Sequence, residues 1–179
     1  MNEVSLSKFL SLVLRHEPQR IGLVFDDAGW ISVDELLRAC VTHGTAISLA
    51  DLERIVATSD KKRFAFNPAA THIRANQGHS VAVDLRYEAR IPPPQLFHGT
   101  ATRFLDSIRV QGLTKQGRHH VHLSADSVTA TSVGQRHGKP AVLNVRAGEM
   151  HRDGHVFFLS DNGVWLVDYV PSSYLEFPD

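Results

Sequence analysis

Cysteine is almost missing from this chain. Cys40 is the one thiol among 179 residues, so neither an intrachain disulfide nor a Cys-rich zinc module can be built. Its apolar helical setting reads as a buried core thiol, and one such thiol suits a reducing, cytoplasmic compartment. Long apolar runs are missing too: no stretch reaches the roughly 20 residues that span a bilayer. The start, MNEVSLSKFL, lacks the basic segment, unbroken apolar core and small-residue cleavage site of an export signal. A soluble, unexported, cytoplasmic protein is expected. Net charge is absent, since 19 Lys and Arg balance 19 Asp and Glu, which excludes polyanion binding through bulk charge. Three common signatures are lacking as well. There is no Gly-x-Gly-x-x-Gly opening a helix after a strand, Gly138-Lys139 is followed by Pro140 rather than the Ser or Thr of a phosphate loop, and there is no Ser nucleophile elbow.

What remains is an ordinary globular composition, 42% apolar and 21% charged, on a length that serves one domain or two small ones. Its charge is segregated. Lys61, Lys62, Arg63 and Arg74 occur with no acid between them, whereas residues 151–179 carry Asp153, Asp161, Asp168, Glu176 and Asp179 against Arg152 alone. Any nucleic-acid contact must therefore be local.

The first third reads as three helices and a hairpin. Leu6, Phe9, Leu10, Val13 and Leu14 recur at helical spacing, and Glu17-Pro18 ends that helix near Arg15-His16. Ser32 to Glu35 has the spacing of a capping box, as does Ser48 to Asp51, so two more helices are expected there. Arg63 to Phe66 and Thr71 to Arg74 read as strands about an Asn67-Pro68 turn. The set suggests a winged-helix-like module. Ile91-Pro92-Pro93-Pro94 is stiff and extended, and a junction is expected at residues 80–94, with domains at 1–85 and 86–179. Beyond it, short apolar runs at 96–97, 121–123, 141–145, 156–159 and 164–170 predict strands. Helices are expected at 103–110, ending at Gly112, and at 127–133, ending at Gly134. The fold class is α+β.

Candidate chemistry gathers at four places. Arg15 and His16 close the first helix, where two cations either complement the helix dipole or bind phosphate. Arg63 admits the same two readings beside the hairpin. In Arg118-His119-His120-Val121-His122-Leu123-Ser124, an extended chain puts His120, His122 and Ser124 on one face and Val121 and Leu123 on the other. A shared metal ion competes there with hydrogen-bonded histidines, but no third ligand falls at motif spacing. In His98-Gly99-Thr100 the glycine allows a ligand close to the backbone.

Several segments together resemble the RNA 2′-phosphotransferase family, known from tRNA splicing, over nearly the whole chain. They are Leu14 to Pro18, Lys62 to Phe64, Arg74 to Ser80, Phe97 to Thr100, Arg118 to Ser124, Arg136 to Pro140 and Asn162 to Leu166; Arg-Ala-Asn-Gln-Gly-His-Ser at 74–80 is the most distinctive. The resemblance implies a winged-helix-like N-terminal lobe that binds RNA and phosphate, and a C-terminal ADP-ribosyltransferase-like lobe that binds NAD. It implies Arg15, His16, Arg63 and Arg118 as the catalytic group. His98, His122 and Val164 become the NAD-binding trio, with Gly99, Thr100 and Ser124 beside the ADP-ribose. Phe97 stands where the family commonly has Tyr. The implied reaction has two steps and needs no metal. An RNA 2′-phosphate oxygen attacks the anomeric carbon of the nicotinamide ribose and expels nicotinamide. The ribose 2″-hydroxyl then attacks phosphorus, giving 2′-hydroxyl RNA and ADP-ribose 1″,2″-cyclic phosphate. A monomer is expected. Two other functions compete: an ADP-ribosyltransferase acting on nucleic-acid ends or protein, which stops after the first step, and a non-catalytic winged-helix nucleic-acid binder.

Overall fold

The apolar stripe Leu6, Leu10, Val13 and Leu14 is buried along one face of α1 (Glu3–Arg15), whose first turn is capped by the Asn2 side chain accepting from the Ser5 N–H at 2.9 Å. Proline stops it: Pro18 opens a 3-10 turn over Pro18–Ile21, because the residue before proline leaves the α region. A computed structural model describes residues 2–59, 62–81, 83–85 and 87–178, so Lys61 of the basic patch and Asp179 of the acidic tail lie outside the described residues. The chain divides into two compact units, Met1–Arg86 and Tyr87–Asp179.

In the N-terminal unit a two-residue strand β1 (Ile31–Ser32) precedes α2 (Val33–Thr42) and α3 (Leu49–Thr58), and a hairpin follows, β2 (Phe64–Phe66) and β3 (His72–Ala75). The turn is tied by Asn67, whose Oδ1 accepts from the Thr71 and His72 N–H groups at 2.9 and 3.0 Å. β1 adds to the hairpin as a third antiparallel strand, in the order β1-β3-β2. Leu10, Leu14, Leu36, Cys40, Leu52, Ile55, Phe64 and Ile73 share one core, each large side chain worth about 1.5–3 kcal/mol over leaving it exposed.

The two expected capping boxes part ways. Ser48 and Asp51 form theirs reciprocally, Ser48 Oγ accepting from the Asp51 N–H and Asp51 Oδ2 from the Ser48 N–H, both at 3.1 Å. Ser32 makes no side-chain cap bond. It is held instead as the last residue of β1, and the Val33 N–H donates to Thr71 O at 2.9 Å. Ser48→Ala should therefore lower stability by about 1 kcal/mol while Ser32→Ala costs far less. Urea melts of the two variants check this; equal losses would refute the assignment.

The C-terminal unit is built mainly of short antiparallel strands. In chain order they and their helices are β4 (Leu96–Ala101), α4 (Leu105–Gln111), β5 (Leu113–Thr114), β6 (Val121–Leu123), α5 (Ser127–Gly134), β7 (Pro140–Val145), α6 (Ala147–Arg152), β8 (Phe157–Leu159), β9 (Trp165–Val167), β10 (Tyr169–Val170) and β11 (Leu175–Glu176). The sheets have orders β11-β7-β4, β6-β9-β8 and β10-β5. Every apolar run marked in the sequence lies in or against a strand. The class is mixed α+β, with six α-helices among the described residues, none long and apolar enough to cross a membrane.

Two local expectations change. α4 does end at Gly112, with φ 72°, but α5 runs through Gly134 into a 3-10 turn, Gln135–His137. Gly134 is there for close packing, because a Cβ would come 2.5 Å from Thr100 O on β4. The proline run docks on the C-terminal unit, where the Gly148 N–H donates to Pro94 O at 3.0 Å and the Arg90 N–H to Phe157 O at 2.8 Å.

Candidate active site

The sequence-predicted catalytic residues fall in both units: Arg15, His16 and Arg63 in the first, Arg118 in the second. Arg15 ends α1, and its Nη2 donates to Arg63 O at 3.3 Å while its guanidinium lies 5.8 Å from the Phe64 ring. The same Arg63 carbonyl accepts from the Asn76 N–H at 2.9 Å. Buried Asn76 also donates from Nδ2 to Lys62 O at 2.6 Å, across a residue held in the left-handed region at φ 39°. A non-glycine residue pays conformational strain there, and Asn76 fixes it. Ser80 grips the end of α1, its N–H donating to Arg15 O at 2.9 Å and its Oγ lying 3.0 Å from Nδ1 of exposed His16. The Arg74–Ser80 segment is thus the brace that brings Arg15, His16 and Arg63 together. Sequence reasoning marked that segment as distinctive but gave Asn76 and Ser80 no task; a polar residue buried right after a strand was the available signal.

In the C-terminal unit the two larger sheets meet at one point. Phe97 and Ser124 exchange backbone hydrogen bonds of 2.9 and 2.7 Å, linking β4 to the end of β6. His98 then reaches β6, where its Nδ1 lies 3.0 Å from His122 O. A carbonyl can only accept, so the His98 proton sits on Nδ1 and Nε2 keeps its lone pair. Burial pushes the His98 pKa below the usual 6.5, partly offset by the His122 carbonyl, and the charges of His137 and Arg118 push it further down. His98 is neutral at pH 7. Arg118 is exposed, and its Nη1 points at His122 Nδ1 across 3.4 Å. Guanidinium can only donate, so Nδ1 of His122 is the acceptor in that contact.

Register places the rest. β6 pairs with β9 as His122↔Leu166 and Leu123↔Trp165, strand alternation puts Ser124 on the face that carries His122, and Val164 lies one residue before β9. Ser160, buried between β8 and β9, holds that turn: its Oγ accepts from the Val164 N–H at 3.0 Å. His120 differs from His122. It packs edge-on against Tyr87 and Phe158, with ring centroids 6.3 and 5.6 Å away, and burial lowers its pKa too. Among the described residues no group of three or more His, Cys, Asp or Glu is placed to hold a metal ion.

Gly99 has another reason to be glycine than ligand access. A Cβ there would overlap the Ala130 carbonyl oxygen, so the space of the missing side chain is filled by α5. Thr100 is buried beneath the same helix, 6% exposed. Ser160 was not singled out from the sequence, and His137 was marked only within the segment Arg136 to Pro140, because both act through tertiary neighbours.

With this geometry in view, comparison with known proteins decides the family. The model of the RNA 2′-phosphotransferase, Tpt1 / KptA family matches residues 1–169. The chain belongs to this RNA 2′-phosphotransferase family. Proteins named "Probable RNA 2'-phosphotransferase" resemble it along nearly their whole lengths. The one from Agrobacterium fabrum is 59% identical over 169 residues, 94% of this chain and 91% of that protein. Those from Trichormus variabilis and Streptomyces coelicolor are each 55% identical, covering 97% and 98% of this chain and 96% and 95% of theirs. The family membership agrees with the resemblance read from Arg74–Ser80 and the other segments.

A pH dependence follows from His98 and His120. Both are held neutral in the fold, while the unfolded chain takes up their protons near pH 6.5, so stability is fully present above that pH and is lost as pH falls below it. Thermal melts from pH 7.5 to 5 should show this fall, and His98→Asn should flatten it. An unchanged slope in that variant would contradict the assignment.

Proposed function

We infer that this protein is an NAD-dependent RNA 2′-phosphotransferase, with a winged-helix-like lobe for RNA phosphate and an ADP-ribosyltransferase-like lobe for NAD. The observation that supports it best is the chain of contacts Arg118–His122–His98, with Ser124 two residues beyond His122 and Val164 just before β9. It brings a guanidinium and two imidazoles together, and no carboxylate belongs to that chain of contacts.

That donor set suits NAD, which is consumed as co-substrate and supplies the anomeric carbon that takes the RNA 2′-phosphate as nicotinamide leaves. His98 Nε2, unprotonated, would accept from a ribose hydroxyl. Ser124 and Thr100 would flank the ADP-ribose, and Gly99 would serve the site by keeping α5 against β4. Val164 leaves the incoming dianion unrepelled, where a carboxylate would oppose it. Arg15, Arg63 and Arg118 would neutralise the phosphate in the second step, each unit pair worth roughly 4 kcal/mol at about 4 Å and an effective dielectric of about 20, before desolvation. His16, beside Ser80, would bind phosphate or carry a proton.

The test is to incubate the pure protein with NAD and a short 2′-phosphorylated RNA and resolve the products. RNA with a free 2′-hydroxyl together with ADP-ribose cyclic phosphate is expected. A stable ADP-ribosylated RNA or protein would favour the one-step alternative, and no reaction would favour a binder. Turnover should persist in a chelator, since arginines supply the charge; activity restored only by zinc would overturn that.

A further inference from the structure

Four basic residues of the C-terminal unit have side-chain partners. Arg90 lies 3.4 Å from Glu88, Lys115 2.7 Å from Asp168 and Arg146 3.1 Å from Glu149, while Arg109 stacks on Phe177 at 4.1 Å. Arg136, His137 and Lys139 are exposed and make no ion pair or side-chain hydrogen bond among the described residues. No acid occurs anywhere in residues 127–148. Like charges gathered without a counter-charge repel one another, so such a cluster is a cost unless an anion covers it.

The fold fixes this basic turn beside the candidate site. The Thr102 N–H donates to Lys139 O at 3.0 Å, and a Cβ on Gly138 would lie 3.6 Å from that of Ala101. Gly134 rests on Thr100. The turn therefore crosses the end of β4, the strand that carries His98, and the charge of His137 is felt at the His98 ring. Arg103, exposed one residue past Thr102, adds a cation from the β4 side, its guanidinium 4.8 Å from the Phe104 ring.

We propose that Arg103, Arg136, His137 and Lys139 form a rim that binds the phosphodiesters of the RNA strand flanking the 2′-phosphate. The proposal rests on the RNA 2′-phosphotransferase reading. All four side chains are exposed and come from two loops, which suits an extended, solvated polyanion. The pyrophosphate of a half-buried dinucleotide would need donors turned inward. Phosphodiester contacts of this kind position a strand without reading its sequence.

The experiment compares a 2′-phosphorylated dinucleotide with a longer 2′-phosphorylated oligomer, on the wild type and on the Arg103→Gln/Arg136→Gln/Lys139→Gln variant. In the wild type the longer RNA should show the lower KM and a steep salt dependence. In the variant its KM should rise about tenfold and the slope of log KM on log salt should flatten by about two, at ~0.7 per lost contact to a single strand. The KM for NAD and kcat on the dinucleotide should stay within about twofold, since uniform binding is what has been removed. A rise in the KM for NAD alone would make the cluster a pyrophosphate site, and no change in either KM would make it a solvated face; each overturns the proposal. Fluorescence anisotropy of the same RNAs reads the rim without turnover. A wild type that binds long RNA through these residues but never removes the phosphate would sink the enzymatic reading and leave the rim standing.

Discussion

Arg63→Ala and Arg118→Ala are expected to lower removal of the RNA 2′-phosphate by about 10²–10³-fold each, the usual consequence of deleting one group that stabilises developing charge. The loss should be uneven between steps. In the proposed two-step reaction the charge changes at phosphorus fall mainly in the second step, so weakening the arginines should slow that step more and RNA-phospho-ADP-ribose should accumulate. His122→Ala acts on the NAD side: it removes the imidazole that meets Arg118 through Nδ1 and leaves in place the main-chain carbonyl that holds His98. It should weaken NAD binding or slow nicotinamide release, and little intermediate should appear. A rapid-quench time course with labelled 2′-phosphate distinguishes the two, and identical intermediate profiles would reject this division of labour. Arg15→Ala is a less clean probe. Its guanidinium donates to Arg63 O and covers Phe64, so the variant should also lose about 1 kcal/mol of stability, which a melt of the same sample reports.

Gly99→Ala should unfold or severely loosen the C-terminal unit. One methyl group there runs into the backbone of α5 at Ala130, and backbone cannot swing aside as a side chain can. Overpacking a well-filled core costs about 1–3 kcal/mol, with more where backbone must move. The variant should show a broadened or early thermal transition and loss of NAD-dependent turnover together. Gly117→Ala serves as the control, since a Cβ at Gly117 meets nothing within 4 Å. A fully stable Gly99→Ala with only its KM for NAD raised would restore the ligand-access explanation for this glycine.

Local rules carried much of the fold. Periodicity and Glu17-Pro18 gave α1 and its end, Asn67-Pro68 gave the hairpin, and Ser48 to Asp51 gave a cap that forms. These signals are legible because each acts within a few residues of itself. Ser32 shows the limit: it carries the same spacing as Ser48, yet pairing with β3 takes its backbone into a strand and leaves the side chain out of the cap. Gly134 shows it again, since a glycine demanded by contact with β4 is indistinguishable in sequence from one that ends a helix.

The sequence by itself determined the α+β class and the family, because the motif segments are contiguous runs whose order can be read without knowing where they go. It could name Arg15, Arg63 and His122 but not what holds them. Tertiary structure alone decided that Asn76 and Ser80 brace the end of α1 and the Arg63 carbonyl, across 13 and 65 residues of chain. It also decided which ring nitrogen of His98 carries the proton, and that His137 stands within electrostatic reach of it. The physical reason is the same in each case. A hydrogen bond or a Coulomb interaction depends on distance in space, and residues far apart in the chain acquire that distance only when the strands and helices between them have packed.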